Sequence, residues 1–136
     1  MNPNQRGAIA EANIKTHFIE SGLDVFEPVR DDCRCDLVVD IGGELMRVQV
    51  KSAHYDEGKV KFKTRSCMTH KSHGTDGKDY IGEVDGFAVY CPELDSSYWV
   101  DIEDAPNSGM ELRVDEAELD HPSINWANEY EIENIA

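Results

Sequence analysis

No stretch of the sequence is apolar over anything near the roughly 20 residues that cross a bilayer. The N-terminus carries no signal-peptide pattern either. A cytoplasmic protein with no membrane partner is therefore expected. Cysteine is sparse, with Cys33, Cys35, Cys67 and Cys91 the only four. Their spacing is irregular and contains no CxxC pair, which argues for reduced thiols over a disulfide framework. Cys67, His70 and His73 are soft-metal ligand types, but no paired motif completes a zinc site around them. Internal repeats are absent. The 136 residues are enough for one domain with one core.

Positive charge is also scarce. Lys and Arg total 13 against 28 Asp and Glu, a formal net charge of −15. At first sight that excludes nucleic acid as a partner. The distribution reverses part of the argument. Residues 1–46 hold 4 basic and 9 acidic side chains, residues 47–78 hold 8 and 3, and residues 79–136 hold 1 and 16. The middle third is a positive island in a negative protein. Many surface carboxylates and few lysines suit a salt-rich cytoplasm, where self-repulsion is screened. The plainer alternative is an acidic protein with an acidic tail.

The segment "CDLVVDIGGELMRVQVKS", residues 35–52, has two apolar runs flanking Gly42-Gly43. Read as a two-residue hairpin, its register is set by the turn. Ile41 then faces Glu44, Val39 faces Met46, Leu37 faces Val48 and Cys35 faces Val50. This face is almost wholly apolar. The other face pairs Val38 with Arg47 and Asp36 with Gln49, with Lys51 one step along. Directly opposed Cβ atoms lie roughly 4.5–5.5 Å apart, so Asp36, Gln49 and Lys51 are expected to meet on one surface. An ordinary amphipathic hairpin with its polar face in water would show the same pattern.

Upstream, "NPNQRGAIAEANIKTHFIESG" reads as a helix. Asn2 is the cap, Pro3 the first helical position and Gly22 the stop. Ala10, Ile14 and Phe18 form its apolar stripe, and Glu11 borders it. A carboxylate there either serves a site or reaches past the edge to solvent. "DVFEPV" reads as a short strand. "KVKFKTR" alternates, with Val60, Phe62 and Thr64 on one face and Lys59, Lys61, Lys63 and Arg65 on the other. Such a strand is half-exposed, and four cations on one face also make a phosphate track. "DGFAVYCPEL" and "SSYWVDIED" read as two further strands. Beyond residue 104 the sequence is acidic, and "NWANEY" reads as a short helix docking Trp126 and Tyr130. The class is α+β with a mixed central sheet flanked by helices.

Glu11 on the first helix, Asp36 on a strand and Gln49-Val50-Lys51 on the next resemble the core of the PD-(D/E)XK nuclease superfamily. "RGAIAEANIKTHFIESGLDVFEPV" is similar to the opening of archaeal Holliday junction resolvases. "YIGEVDGFAVYCPELDSSYWVDIED" is similar to the group that includes a cyanobacterial intron-encoded homing endonuclease. Gln49 stands where the family's usual acidic residue would be, and Cys35 stands where Pro is usual.

The resemblance implies a restriction-endonuclease-like core over residues 1–104; residues 105–136 have no counterpart in it and are expected as an acidic extension packed on the same domain. It implies a deoxyribonuclease dependent on Mg²⁺ or Mn²⁺, acting on branched or duplex DNA as a homodimer or higher homo-oligomer. Asp36, the Gln49 amide oxygen, the Val50 carbonyl and Glu11 would hold the metal, and Lys51 would polarise the attacking water. Lys59, Lys61, Lys63 and Arg65 would lead DNA in, with His54 either a further contact or a plain surface histidine. The alternative is a catalytically inactive nuclease fold serving as a DNA-binding or assembly module. An unrelated acidic protein-binding domain is a third, weaker reading.

The charge distribution makes one solution prediction. If the protein is adapted to a salt-rich cytoplasm, its melting temperature in low salt lies below that in molar KCl. A melting curve that does not move between the two assigns the acidity to the tail alone.

Overall fold

The computed structural model describes residues 1–65, 82–115 and 122–136. The segment with Cys67, His70 and His73 lies outside the described residues. Helix α1 runs from Pro3 to Glu20. Asn2 and Gln5 cap it reciprocally: the Asn2 side chain accepts from the Gln5 N–H, and the Gln5 side chain accepts from the Asn2 N–H, both at 2.9 Å. Ser21 closes the helix, and Gly22 follows at φ +84°. Ala10, Ile14 and Phe18 are its buried residues. This is the only α-helix among the described residues, and it is not apolar enough to cross a membrane.

Strands β1 (Asp24–Phe26), β2 (Leu37–Ile41) and β3 (Glu44–Ser52) follow. Gly42 and Gly43 make the turn with φ of +62° and +88°, a region that suits glycine and the twist of a tight hairpin. The observed register pairs Leu37 with Val48, Val39 with Met46 and Ile41 with Glu44, as the turn length requires. Strands β4 (His54–Asp56) and β5 (Lys59–Lys63) come next, then β6 (Gly86–Cys91), β7 (Ser96–Asp101) and β8 (Gly109–Arg113).

Two sheets result. The larger has the order β1-β2-β3-β6-β7. Its β3–β6 pair is parallel and its other pairs are antiparallel. The smaller sheet, β4-β5-β8, is antiparallel throughout. All six residues of β6 are buried, as expected of a strand covered on both faces. On one face, Ala10, Ile14 and Phe18 pack with Leu37, Val39, Val48, Ala88 and Trp99. On the other, Phe87, Val89 and Val100 pack with Val60, Phe62, Met110 and Leu112 from the smaller sheet. Among the described residues the flanking layers are thus one helix and one small sheet.

Three local features differ from the sequence reading. Cys35 was expected on the face of Leu37 and Val39. It lies before β2 begins, outside the strand's alternation, and joins the opposite core with Val60 and Phe62. Strand β8 arises from the acidic region past residue 104 and pairs with β5. Its alternation is only five residues long, and its apolar members are held by Val60 and Phe62 from far upstream. "NWANEY" forms a single 3₁₀ turn, Ala127–Glu129. The Tyr130 carbonyl accepts from the Trp99 N–H at 2.7 Å, and Ile132 is fully buried.

Gly86 opens β6 directly under the Trp99 indole. A Cβ built on Gly86 would lie 2.4 Å from the ring. The ring is pinned by its own N–H, donated to the Asp101 carboxylate at 2.9 Å. Gly86→Ala should therefore cost about 1–3 kcal/mol, the range for overpacking a core. Denaturant unfolding measures it, and a loss under about 0.5 kcal/mol would mean that the ring moves freely.

Candidate active site

The site lies where β2 and β3 cease to be a ladder. The last ladder pair is Leu37 with Val48. One residue before it, the Asp36 N–H still donates to the Val48 carbonyl at 2.8 Å. The next donor along β3, the Val50 N–H, meets no β2 carbonyl. It is taken by the Asp36 carboxylate at 2.9 Å. A side chain replaces a backbone acceptor, so the chain before Asp36 can turn away from β3 without leaving a buried amide unpaired. The N–H and C=O of one strand residue point to the same side. The Val50 carbonyl therefore opens on the same edge as the Asp36 carboxylate.

Gln49 and Lys51 pair with Phe87 and Val89 of β6, so their side chains project toward the smaller sheet. The Lys51 ammonium lies 6.0 Å from the centre of the Phe87 ring and donates to the Arg65 carbonyl at 3.2 Å. Glu11 approaches from α1, which packs on the other face through Val48 and Ala88. The hairpin register placed Asp36, Gln49 and Lys51 on one surface, and Asp36 departs from it. Gln49 and Lys51 come from one face, Glu11 comes from the other, and Asp36 sits between them at the sheet edge. The reason is that Asp36 precedes β2 and turns its carboxylate to an in-plane amide.

Electrostatics tie the groups together. Burial pushes the Asp36 carboxyl above the ordinary range, against the pull of the Val50 N–H and the Lys51 ammonium. Burial also raises Glu11, and the charge of Asp36 raises it further. Gln49 Oε1 is buried with no hydrogen-bond partner among the described residues. An unbonded buried amide oxygen is costly unless something beyond the described residues takes it. Among the described residues no three His, Cys, Asp or Glu side chains cluster as metal ligands. The donors on hand are two carboxylates, an amide oxygen and a backbone carbonyl. All are hard oxygens, and the set fits Mg²⁺ or Mn²⁺ far better than a soft metal.

The expected phosphate track is altered. Val60, Phe62 and Thr64 are buried, so the cations do face outward. Two of them sit in ion pairs within the smaller sheet. Lys59 pairs with Glu111 at 3.4 Å, and Lys61 pairs with Asp56 at 3.2 Å and with Glu111 at 4.0 Å. Cross-strand neighbours from β4 and β8 supply these carboxylates. Lys63 is exposed and makes no ion pair among the described residues. His54 is exposed, and its Nδ1 lies 3.3 Å from the Arg6 guanidinium, which also donates to the Ala53 carbonyl. Two further features escaped the sequence reading. Ser52 Oγ, next to Lys51, is a second buried atom without a partner among the described residues, and nothing in the sequence signals it. Cys33 and Cys35 are in contact, which their i, i+2 spacing permits.

The core is thus a mixed five-stranded sheet with a helix on one face and a carboxylate at the break of the β2–β3 hairpin. The structure matches that of a bacterial homing endonuclease, I-Ssp6803I, with a TM-score of 0.77. The match covers 96% of this chain and 89% of the other at 24% identity, a likeness of fold. The fold is restriction-endonuclease-like. The family described as PD-(D/E)XK endonuclease matches residues 1–133, and the chain belongs to that family. No curated protein matches the sequence.

The raised carboxyls define a pH test. The folded protein holds protons on Asp36 and Glu11 more tightly than the unfolded chain does. Their favourable contribution is complete below the ordinary carboxylate range, about pH 4, and is lost as pH rises through the raised values. The charged forms of both carboxyls bear the cost of partial burial and of their mutual repulsion. Asp36→Asn should therefore melt higher than wild type without metal. Added Mg²⁺ or Mn²⁺ should raise the wild-type melting temperature and leave the variant unmoved. The metal's effect should shrink as pH falls toward about 4, because protons compete for the same oxygens.

Proposed function

We propose that the protein is a Mg²⁺- or Mn²⁺-dependent DNA endonuclease whose active site is Asp36, Gln49, Lys51 and Glu11. The observation that carries this reading is the buried, unbonded Gln49 Oε1 on the strand whose Val50 N–H holds the Asp36 carboxylate. Asp36, Gln49 Oε1, the Val50 carbonyl and Glu11 would hold the cation. A cation held there supplies electrophilic stabilisation of the charge that develops on the scissile phosphate.

The chain's own residues do the rest. Lys51 keeps its ammonium beside that phosphate, anchored by the Arg65 carbonyl. From there it orients the attacking water and offsets the added negative charge of the pentavalent state. Burial of Asp36 thins the competing water and strengthens these interactions. Lys63 and Arg65 bring the β5 face to the site, since the Arg65 carbonyl is the Lys51 acceptor. Lys59 and Lys61 would contact phosphates only by loosening their ion pairs with Glu111 and Asp56. Exposed pairs of this kind are worth about 0–1 kcal/mol, so a phosphate can displace them. A two-fold dimer would place two such sites on one duplex for a paired cut.

A second reading, an inactive nuclease fold that binds DNA, is favoured by one feature. Gln49 removes a negative charge from the metal site. The two readings part on nicking of supercoiled plasmid and of a four-way junction with and without the metal. An active enzyme cuts at least one of them only with metal. Lys51→Ala should then lower the rate by about 100-fold or more while DNA affinity stays within a few-fold. Gln49→Glu should keep or raise the rate and should tighten the metal. Binding without cutting in every metal and on both substrates would establish the inactive module.

A further inference from the structure

The backbone bends at Arg34, between two cysteines whose side chains meet. Cys33 Sγ lies 3.4 Å from Cys35 Sγ. Cys33 is exposed and Cys35 is buried. A disulfide needs about 2.05 Å between sulfurs, so closure asks for a shift of roughly 1.4 Å. The residue that follows Cys35 is Asp36. Its N–H to Val48 and its carboxylate to Val50 are the bonds that end the β2–β3 ladder. A thiol pair thus adjoins, through one peptide unit, the carboxylate around which the candidate site is built.

We propose that Cys33 and Cys35 form a reversible disulfide on exposure to peroxide, and that the bridge withdraws Asp36 from Val50 and switches the site off. The first step is attack of the exposed Cys33 sulfur on a peroxide oxygen. The O–O bond breaks, the departing oxygen takes a proton and leaves as water, and Cys33 becomes a sulfenic acid. Cys35 sulfur then attacks the Cys33 sulfur. The S–S bond forms, the S–O bond breaks, and a second water leaves. In sum, two thiols and one hydrogen peroxide give a disulfide and two waters, the thiols losing two electrons. A dithiol reverses the reaction by exchange. The exposed cysteine is the one that meets the oxidant, and the buried one is already in contact to resolve it. Ring closure tightens the chain across Arg34 and moves the Cys35 backbone, to which Asp36 is directly joined. Cys91 takes no part, since its sulfur lies in the core near the Glu93 carboxylate at 3.7 Å.

Formation of the bridge is independent of the reading of the site, whereas its effect on cleavage rests on that reading. The experiment uses the full chain, reduced and then treated with hydrogen peroxide. Trypsin cuts after Arg34, so residues 31–34 and 35–47 should stay joined until dithiothreitol is added. Hydrogen exchange at the Asp36 and Val50 amides should speed up by about tenfold or more in the oxidised protein and return on reduction. The metal-induced rise in melting temperature and the cleavage rate should fall in parallel. Cys33→Ser should abolish all of these responses to peroxide. Fragments that separate without reduction overturn the proposal. So does a bridge that forms while both amides exchange as before. The exchange readout needs neither metal nor DNA, so a protein that never cuts still decides the switch, and a failure of the metal site is told apart from a failure of the bridge.

Discussion

The hydrogen bond from the Val50 N–H to the Asp36 carboxylate stands where a continuous ladder would otherwise have run on. A strand edge inside a protein cannot stop pairing for nothing, because a buried amide without an acceptor costs as much as a lost hydrogen bond. Asp36 solves that problem with a side chain. In doing so it plants a carboxylate in the plane of the sheet, partly withdrawn from water, beside the Val50 carbonyl. Gln49 and Lys51 then reach the same edge from one face and Glu11 reaches it from the other. Structural closure of the hairpin and the placing of the Asp36 carboxylate at that edge are the same event.

The two faces of the sheet are served by different layers, and this sets what each layer can contribute. Helix α1 brings Glu11 because Ala10, Ile14 and Phe18 fix its rotation over Val48 and Ala88. The small sheet brings the end of β5 to Lys51 because Val60 and Phe62 are buried against Phe87. Both layers are anchored on β6, which is buried on both sides. The tight fit of Gly86 under Trp99 belongs to that same strand.

Charge is handled locally in a protein of net charge −15. The positive strand β5 is partly neutralised within its own sheet by Asp56 and Glu111. Lys51 is separated from that exchange. It donates to a backbone carbonyl, lies over an aromatic face, and its charge acts on the Asp36 carboxyl. A surface ion pair and a partly buried charge acting on a carboxylate differ in the screening they feel, and salt weakens the second less.

Much of this was legible in the sequence. The cap at Asn2, the stop at Gly22, the buried stripe of α1, the hairpin register and the alternation of β5 follow from local periodicity and turn chemistry. These rules act within a few residues, so the sequence by itself determined which side chains share a face within one element. It did not determine what those faces meet. Strand β8 went unread because Met110 and Leu112 make sense only against Val60 and Phe62. The pairing of Lys59 and Lys61 with Glu111 depends on that same distant strand. Cys35 and Asp36 departed from the alternation assigned to them because β2 begins one residue after Asp36, and only the pairing of β3 in the folded sheet shows where a ladder ends. Tertiary structure decided these points because a hydrogen bond or an ion pair needs its partner within about 3–4 Å, and sequence separation does not measure that distance.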